Sequence, residues 1–273
     1  MLSHCIIIFY KLWHGRLGLK GAGRLINIFS PMLVGLQRYP FRLPNGNVID
    51  LDFREQSAFF WLNAMLGDKH QEDPLIRAIC RVFRDGQVFW DVGANAGILS
   101  HEISRRVSAR EHHYFEPNPK VFPWVSAALA HLKHSTGHQL ALSNDRGTAT
   151  FYVPRKGSAY GSLEHAGDAC EIKVVKTTGD SLVFGEGMLP PDIIKIDTEG
   201  HEVDVLCGMK QLISTYRPII FFEHIGISDD QVHSLIPPGY LLQTVSDLDG
   251  TLTESFCRSA GHNSVLIPSL IVT

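Results

Sequence analysis

The sequence predicts an α/β fold in which a mostly parallel sheet is wrapped by helices, with antiparallel strands late in the chain. Three observations carry this. Apolar runs with strand character alternate with amphipathic helical runs over most of the 273 residues. The run "FWDVGANAGILSHEI" (89–103) passes from a buried strand through a glycine-bracketed turn into a helix. Acidic residues then sit at the ends of successive later strands, where ligands bind in such sheets.

The first 40 residues form a basic arm. Lys11, Arg16, Lys20, Arg24 and Arg38 lie there, and no Asp or Glu occurs before Asp50. Arg16, Lys20 and Arg24 stand four apart, the spacing of one helix face. A helix packed on the domain, a peripheral contact with an anionic membrane or substrate, and a cleaved targeting peptide all fit the arm. The apolar run Cys5–Tyr10 is too short to span a bilayer and has no preceding Lys or Arg.

Residues 41–84 read as an N-terminal extension packed on the core. "FRLPNGNVIDLDF" (41–53) has a Pro-Asn-Gly turn between extended runs, hence a β-hairpin. Residues 56–66 and 74–84 have helical spacing, the second opening on Pro74.

The main domain runs over 85–273. "QVFWDVG" is a strand, "ILSHEISRRV" a helix, "HHYFEP" a strand and "KVFPWVSAALAHL" a helix. "HQLALSN", "TATFYVP" and "CEIKVVKTT" read as extended, "PDIIKIDTEG" as a buried strand and "HEVDVLCGMKQLI" as one helix. "RPIIFFEH", "GYLLQTV" and "NSVLIPS" close the chain as strands.

Composition narrows the function. A net charge of −3 argues against a dedicated nucleic-acid binder. Five cysteines without a C-x-x-C pair suggest neither a zinc site nor a disulfide framework, and point to a reducing cytoplasm.

Gly93 and Gly97 in "DVGANAG" give the backbone freedom to turn sharply and leave room for a ligand. Asn95 stands where a dinucleotide fingerprint has the glycine that admits a pyrophosphate. A nucleoside without a pyrophosphate, such as S-adenosylmethionine, needs no such glycine, and Asp91 suits its cationic tail. Glu116, twenty-five residues after Asp91, suits a ribose diol. Lys195, Asp197, Glu199, His201 and Glu202 crowd the end of a central strand. Helix capping by Thr198 or Asp197 also accounts for part of that turn. "FFEH" adds Glu223 and His224 one strand later. No metal-ligand spacing stands out, so no metal is expected.

The stretches "FWDVGANAGILS", "YFEPNP", "LALSNDRGTATFYV", "KTTGDSL" and "IKIDTEGHEVDVL", in that order, resemble the FkbM-type S-adenosylmethionine-dependent methyltransferases. The resemblance runs from about residue 41 to the end. It implies the seven-stranded, doubly wound, Rossmann-like methyltransferase sheet. It also implies that Asp91, Gly93, Asn95 and Gly97 line the cofactor's methionine end, with Glu116 at the ribose, Ser143 near the adenine and Asp197 near the methyl. Ala96 and Leu99 stand where larger or aromatic residues are common in the family, which bears on pocket shape.

The expected activity is O-methylation of a hydroxyl on a sugar, glycolipid or natural product. Asp197, Glu199 or His201 is the candidate base, and Glu223 and His224 are the candidate acceptor-pocket residues. Two rivals are an NAD-linked oxidoreductase on a similar sheet and a non-catalytic, membrane-associated partner.

Overall fold

A computed structural model describes residues 39–42, 48–51, 74–154, 161–164 and 168–269. The expected helix at 56–66 and the basic arm up to residue 38 lie outside the described residues. Strands β1 (Tyr39–Arg42) and β2 (Val48–Leu51) pair antiparallel, as the Pro-Asn-Gly turn predicts. Helix α1 (Pro74–Val82) follows.

The main sheet has seven strands. They are β3 (Val88–Val92), β4 (Glu111–Phe115), β5 (Ser135–His138), β9 (Ile193–Ile196), β10 (Ile219–Glu223), β11 (Tyr240–Val245) and β12 (Asn263–Pro268). Their order is β11-β12-β10-β9-β3-β4-β5. All neighbours are parallel except those involving β12, which runs antiparallel to β10 and β11.

Every residue of β3 and β9 is buried, which explains why their runs are apolar apart from Asp91 and Lys195, and those two pair with each other. Alternate side chains feed two cores. Phe89, Ile193, Phe221 and Val265 meet Leu75, Ile76 and Ile79 of α1. On the opposite face, Trp90, Val92, Ile194, Ile196 and Phe222 meet helices α4 (Glu202–Cys207) and α5 (Lys210–Tyr216). Each such large side chain contributes about 1.5–3 kcal/mol by leaving water.

Two expectations are corrected. The run "HQLALSN" (138–144) is not one strand: His138 ends β5 in the main sheet, and Ala141–Leu142 form β6 outside it. β6 joins β7 (Gly147–Pro154) and β8 (Ala169–Thr177) in a separate three-stranded sheet, in the order β6-β8-β7. The expected single helix after residue 200 breaks at Gly208-Met209. A Cβ at Gly208 would lie 1.9 Å from the Ser143 carbonyl oxygen, so the chain passes too close to β6 for a side chain.

Helix α2 (Ile98–Ser104) follows β3, α3 (Phe122–Leu129) follows β4, and α6 (Asp229–Ser234) precedes β11. From β3 the chain builds outward to β4 and β5, and from β9 outward to β10 on the other side. The direction of winding therefore reverses between β3 and β9, and the crevice above their carboxyl ends is where such sheets bind ligands. Among the described residues, no helix is long and apolar enough to cross a membrane.

Candidate active site

The turn after β3 is shaped by three left-handed residues, Gly93 (φ 74°), Asn95 (φ 50°) and Gly97 (φ 79°). The two glycines are required by close packing. A Cβ at Gly93 would lie 1.8 Å from the Asp197 carbonyl oxygen, and one at Gly97 would lie 2.8 Å from Val125 Cγ2. The room a side chain would take is thus filled by the protein itself, which clamps the turn between β9 and α3. The amides of Gly93 and Ala94 both donate to the Phe115 carbonyl, tying the turn to β4.

Glu116, just past β4, is buried in the wall of the crevice. Its Oε2 accepts from the Asn95 amide at 2.9 Å and its Oε1 from the Asn118 amide at 2.8 Å. Each oxygen is held by one backbone donor and keeps further acceptor capacity. Burial pushes the carboxyl up to about 7 despite those two hydrogen bonds and the charge of Lys195.

Asp91 lies behind the turn rather than in the crevice wall. It is fully buried; Oδ1 is 3.0 Å from Lys195 Nζ, and Oδ2 accepts from Ser100 Oγ at 2.5 Å. Ser100 Oγ is in turn 2.8 Å from His112 Nε2. Burial holds the His112 imidazole down to about 4, so it is neutral and donates Nε2–H to the serine whose proton goes to Asp91. Lys195 also donates to the Gly93 carbonyl at 2.8 Å and lies 3.7 Å from Asp197 Oδ2. Burial opposes its charge, but Asp91 and then Asp197 outweigh this and hold the ammonium above its ordinary value.

The turn after β9 carries the other acids. Asp197 is partly exposed, and Glu199 is exposed with φ 57°. Neither Asp197 nor Thr198 caps α4. Glu202, almost wholly buried, reaches back to accept from the Thr198 amide at 2.7 Å, the Thr198 hydroxyl at 2.9 Å and the Gly200 amide. Burial, then Asp197 and Glu202, push the Glu199 carboxyl up to about 7. Glu223, at the end of β10, is pushed to about 7 by burial and then by Asp197 and Glu199.

His201 is buried in the crevice wall with both ring nitrogens engaged. Nε2 is 3.0 Å from Ser143 Oγ, and Nδ1 faces Glu164 and Asp204. Ser143 itself is buried behind His201. His224 is buried away from the crevice wall, with Nδ1 2.9 Å from Ser264 Oγ and its ring edge on Phe256. Among the residues singled out from sequence, Gly93, Asn95, Glu116, Asp197, Glu199 and His201 share one cleft; Asp91, Gly97, Ser143, Glu223 and His224 are not part of its wall.

Sequence reasoning missed the cleft's apolar slot of Phe115, Leu140, Leu142, Phe151 and Leu163, and also Glu164, which faces His201 Nδ1. Two of these come from the three-stranded sheet region, and no short-range motif marks them.

The wall carries Glu116, Asp197 and Glu199, and no Lys or Arg among its described residues. Lys195 sits behind it, neutralised by Asp91. A pyrophosphate would face uncompensated like charge here, whereas a cationic nucleoside meets acids, an acceptor for a diol and an apolar slot for a flat base. The residues present therefore fit S-adenosylmethionine and disfavour a dinucleotide.

Comparison with known proteins agrees. Residues 91–253 match the Methyltransferase FkbM domain family. A hexuronic acid methyltransferase (AglP) of Haloferax volcanii is 26% identical over 223 residues, covering 81% of this chain and 86% of that protein. The crystal structure of a methyltransferase FkbM from Methylobacillus flagellatus KT matches with a TM-score of 0.48 at 15% identity. That alignment covers 89% of this chain, which spans 60% of the other. A TehB-like S-adenosylmethionine-dependent methyltransferase from Corynebacterium glutamicum matches with a TM-score of 0.44 at 10% identity, over 77% of this chain and 93% of that one.

Proposed function

The chain belongs to the FkbM family of S-adenosylmethionine-dependent methyltransferases, and on that premise we propose that it methylates a hydroxyl of a sugar or glycolipid. The observation that carries this reading is a cleft walled by acids, without a described Lys or Arg, at the switch point of the sheet. The similarity to a hexuronic acid methyltransferase supports a sugar as the acceptor class.

S-adenosylmethionine, when bound, supplies a methyl group already activated by its sulfonium, so the protein's task is chiefly positioning. In our reading Glu116 accepts both hydroxyls of the ribose, and the Gly93–Gly97 turn supports the amino-acid end. Asp91 acts through that turn. By pairing with Lys195 it fixes the Gly93 carbonyl and keeps that cation out of the cleft wall.

A sugar hydroxyl is a weak nucleophile and benefits from a base that takes its proton. Among the three candidates, His201 has both nitrogens engaged and Asp197 leans on Lys195. Glu199 lines the cleft, and its carboxylate makes no hydrogen bond among the described residues, so we assign the base to it. Glu223 stands beside Asp197 across the β9–β10 pair and suits the acceptor side. His224 supports that strand end from behind, through Ser264.

The experiment is incubation of purified full-length protein with S-adenosylmethionine and a panel of neutral and uronate-containing glycans, read by mass spectrometry. The expected result is the mass of one added methyl on a sugar, with the label stable to mild alkali as an ether. Transfer only to non-carbohydrate acceptors would overturn the sugar assignment.

A further inference from the structure

We propose that Glu164, His201 and Asp204 form a binding site for one small divalent transition ion, of the Zn²⁺ type, at the rim of the cleft. One nitrogen and two carboxylate oxygens from these residues lie within 4.8 Å of one another. The site stands apart from the methyl-transfer reading and does not depend on it.

The geometry around His201 Nδ1 is the starting point. Glu164 Oε1 is 3.3 Å away and Asp204 Oδ2 is 3.4 Å away. Both sit just past the usual hydrogen-bond range of about 3.2 Å, although the Glu164 contact keeps hydrogen-bond geometry. They also match the edge of a tetrahedron around zinc. With ligand bonds of about 2.0–2.1 Å that edge is about 3.3–3.4 Å.

On the other side of the ring, Nε2 lies 3.0 Å from Ser143 Oγ, which can accept a proton held on that nitrogen. Asn144 Nδ2 donates to Asp204 Oδ1 at 2.7 Å, which turns Oδ2 toward His201. With the imidazole proton on Nε2, Nδ1 presents a lone pair to two carboxylates. In that tautomer three electron-rich atoms converge on one point, an arrangement that a bound cation stabilises.

The supporting groups are those a metal site has. The ring proton goes to a fixed acceptor, and a ligating carboxylate is oriented by an amide. Ser162 Oγ accepts from the Glu164 amide and donates to the Glu199 carbonyl, which fixes the Glu164 segment against the turn after β9. Three protein ligands leave a fourth position open. A histidine with two carboxylates favours zinc or a similar ion over magnesium, which takes an oxygen shell. Sequence spacing hides the site, because Glu164 is thirty-seven residues from His201. The ion would pin the segment carrying Glu164 to the start of α4, beside the cleft.

The test uses the full chain, stripped with chelator and titrated separately with Zn²⁺ by calorimetry and Co²⁺ by visible absorption. One equivalent with a dissociation constant in the micromolar range or tighter is expected, with the intense d–d bands of a tetrahedral cobalt site. Glu164→Gln and Asp204→Asn should each weaken binding at least tenfold, and Asn144→Ala should weaken it about 10–100-fold as a lost orienting partner. Far-ultraviolet circular dichroism checks that each variant is folded. Absence of saturable binding in folded wild-type protein would overturn the proposal. So would unchanged affinity in folded Glu164→Gln and Asp204→Asn, because the remaining histidines would then hold the ion.

Discussion

Lys195 and Asp197 are two residues apart on one strand end, yet their surroundings are opposite. Lys195 points into a dry cluster in which each charge meets a partner: Asp91 at 3.0 Å, the Gly93 carbonyl at 2.8 Å, and Ser100 and His112 beyond. Asp197 lines the cleft beside Glu199, whose carboxyl is pushed up to about 7 with no Lys or Arg among the described wall residues, and Glu223, one strand over and outside the wall, is pushed to about 7 as well. The first cluster holds two strands and a turn in register. The second holds its carboxyls close together at a cost in solvation, which is the arrangement expected of groups that do chemistry.

The largest expected effect separates the two clusters by stability. Lys195→Met leaves Asp91 buried without its partner and should cost about 3–5 kcal/mol. The double variant Lys195→Met/Asp91→Leu should recover most of that, because a well-packed apolar pair replaces the ion pair. Denaturant unfolding measures both. Equal stability of Lys195→Met and wild type would show that the pair does not hold the turn.

Glu199→Gln should do the reverse. Methyl transfer should fall about 10²–10⁴-fold, as for loss of a general base, with the unfolding midpoint and the affinity for S-adenosylhomocysteine nearly unchanged. Single-turnover transfer tests it. A rate within a few fold of wild type would move the base to Asp197 or remove the need for one.

These contrasts also explain what could be read in advance. The strands at 88–92, 193–196 and 219–223 were legible because they are buried on both faces over most of their length and carry only one charged residue each. The pairing of β12 against β10 was legible only as late antiparallel strands. The close approach at Gly208, where the helix breaks, was hidden, because it is made to the Ser143 carbonyl sixty-five residues away. Of the site, the cleft residues Gly93, Glu116, Asp197 and Glu199 announced themselves by falling at strand ends. The burial of Asp91 did not, since its partner Lys195 is a hundred and four residues distant. Glu164 was silent for the same reason, lying outside every strand–turn–helix unit.

A smaller effect concerns the turn itself. Gly97→Ala puts a Cβ at φ 79° and 2.8 Å from Val125 Cγ2, and should cost about 1–3 kcal/mol of stability. Thermal unfolding with and without cofactor reads it. A neutral substitution would mean that α3 can give way.

The smallest effect is a pH dependence at Glu116. Its neighbours are Lys195, Asp91 and the amides of Asn95 and Asn118. Because the folded-state value is raised to about 7 from 4.5, the ligand-free protein carries a stability contribution at low pH that is lost as pH rises through 7. A ribose diol donates to the ionised carboxylate, so cofactor affinity should rise up to about tenfold per pH unit from 5.5 toward 7 and then level. Glu116→Gln should flatten that profile. A flat profile in the wild type would mean that this carboxylate does not meet the ribose.

The most direct test of the acid-walled cleft is calorimetric titration of the full chain at pH 7.5 with S-adenosylmethionine, S-adenosylhomocysteine and NADH in parallel. The account expects one equivalent of each sulfur nucleoside to bind, weakened strongly by Glu116→Gln, and no heat from NADH. Binding of NADH, or silence from both sulfur nucleosides on folded protein, would contradict it.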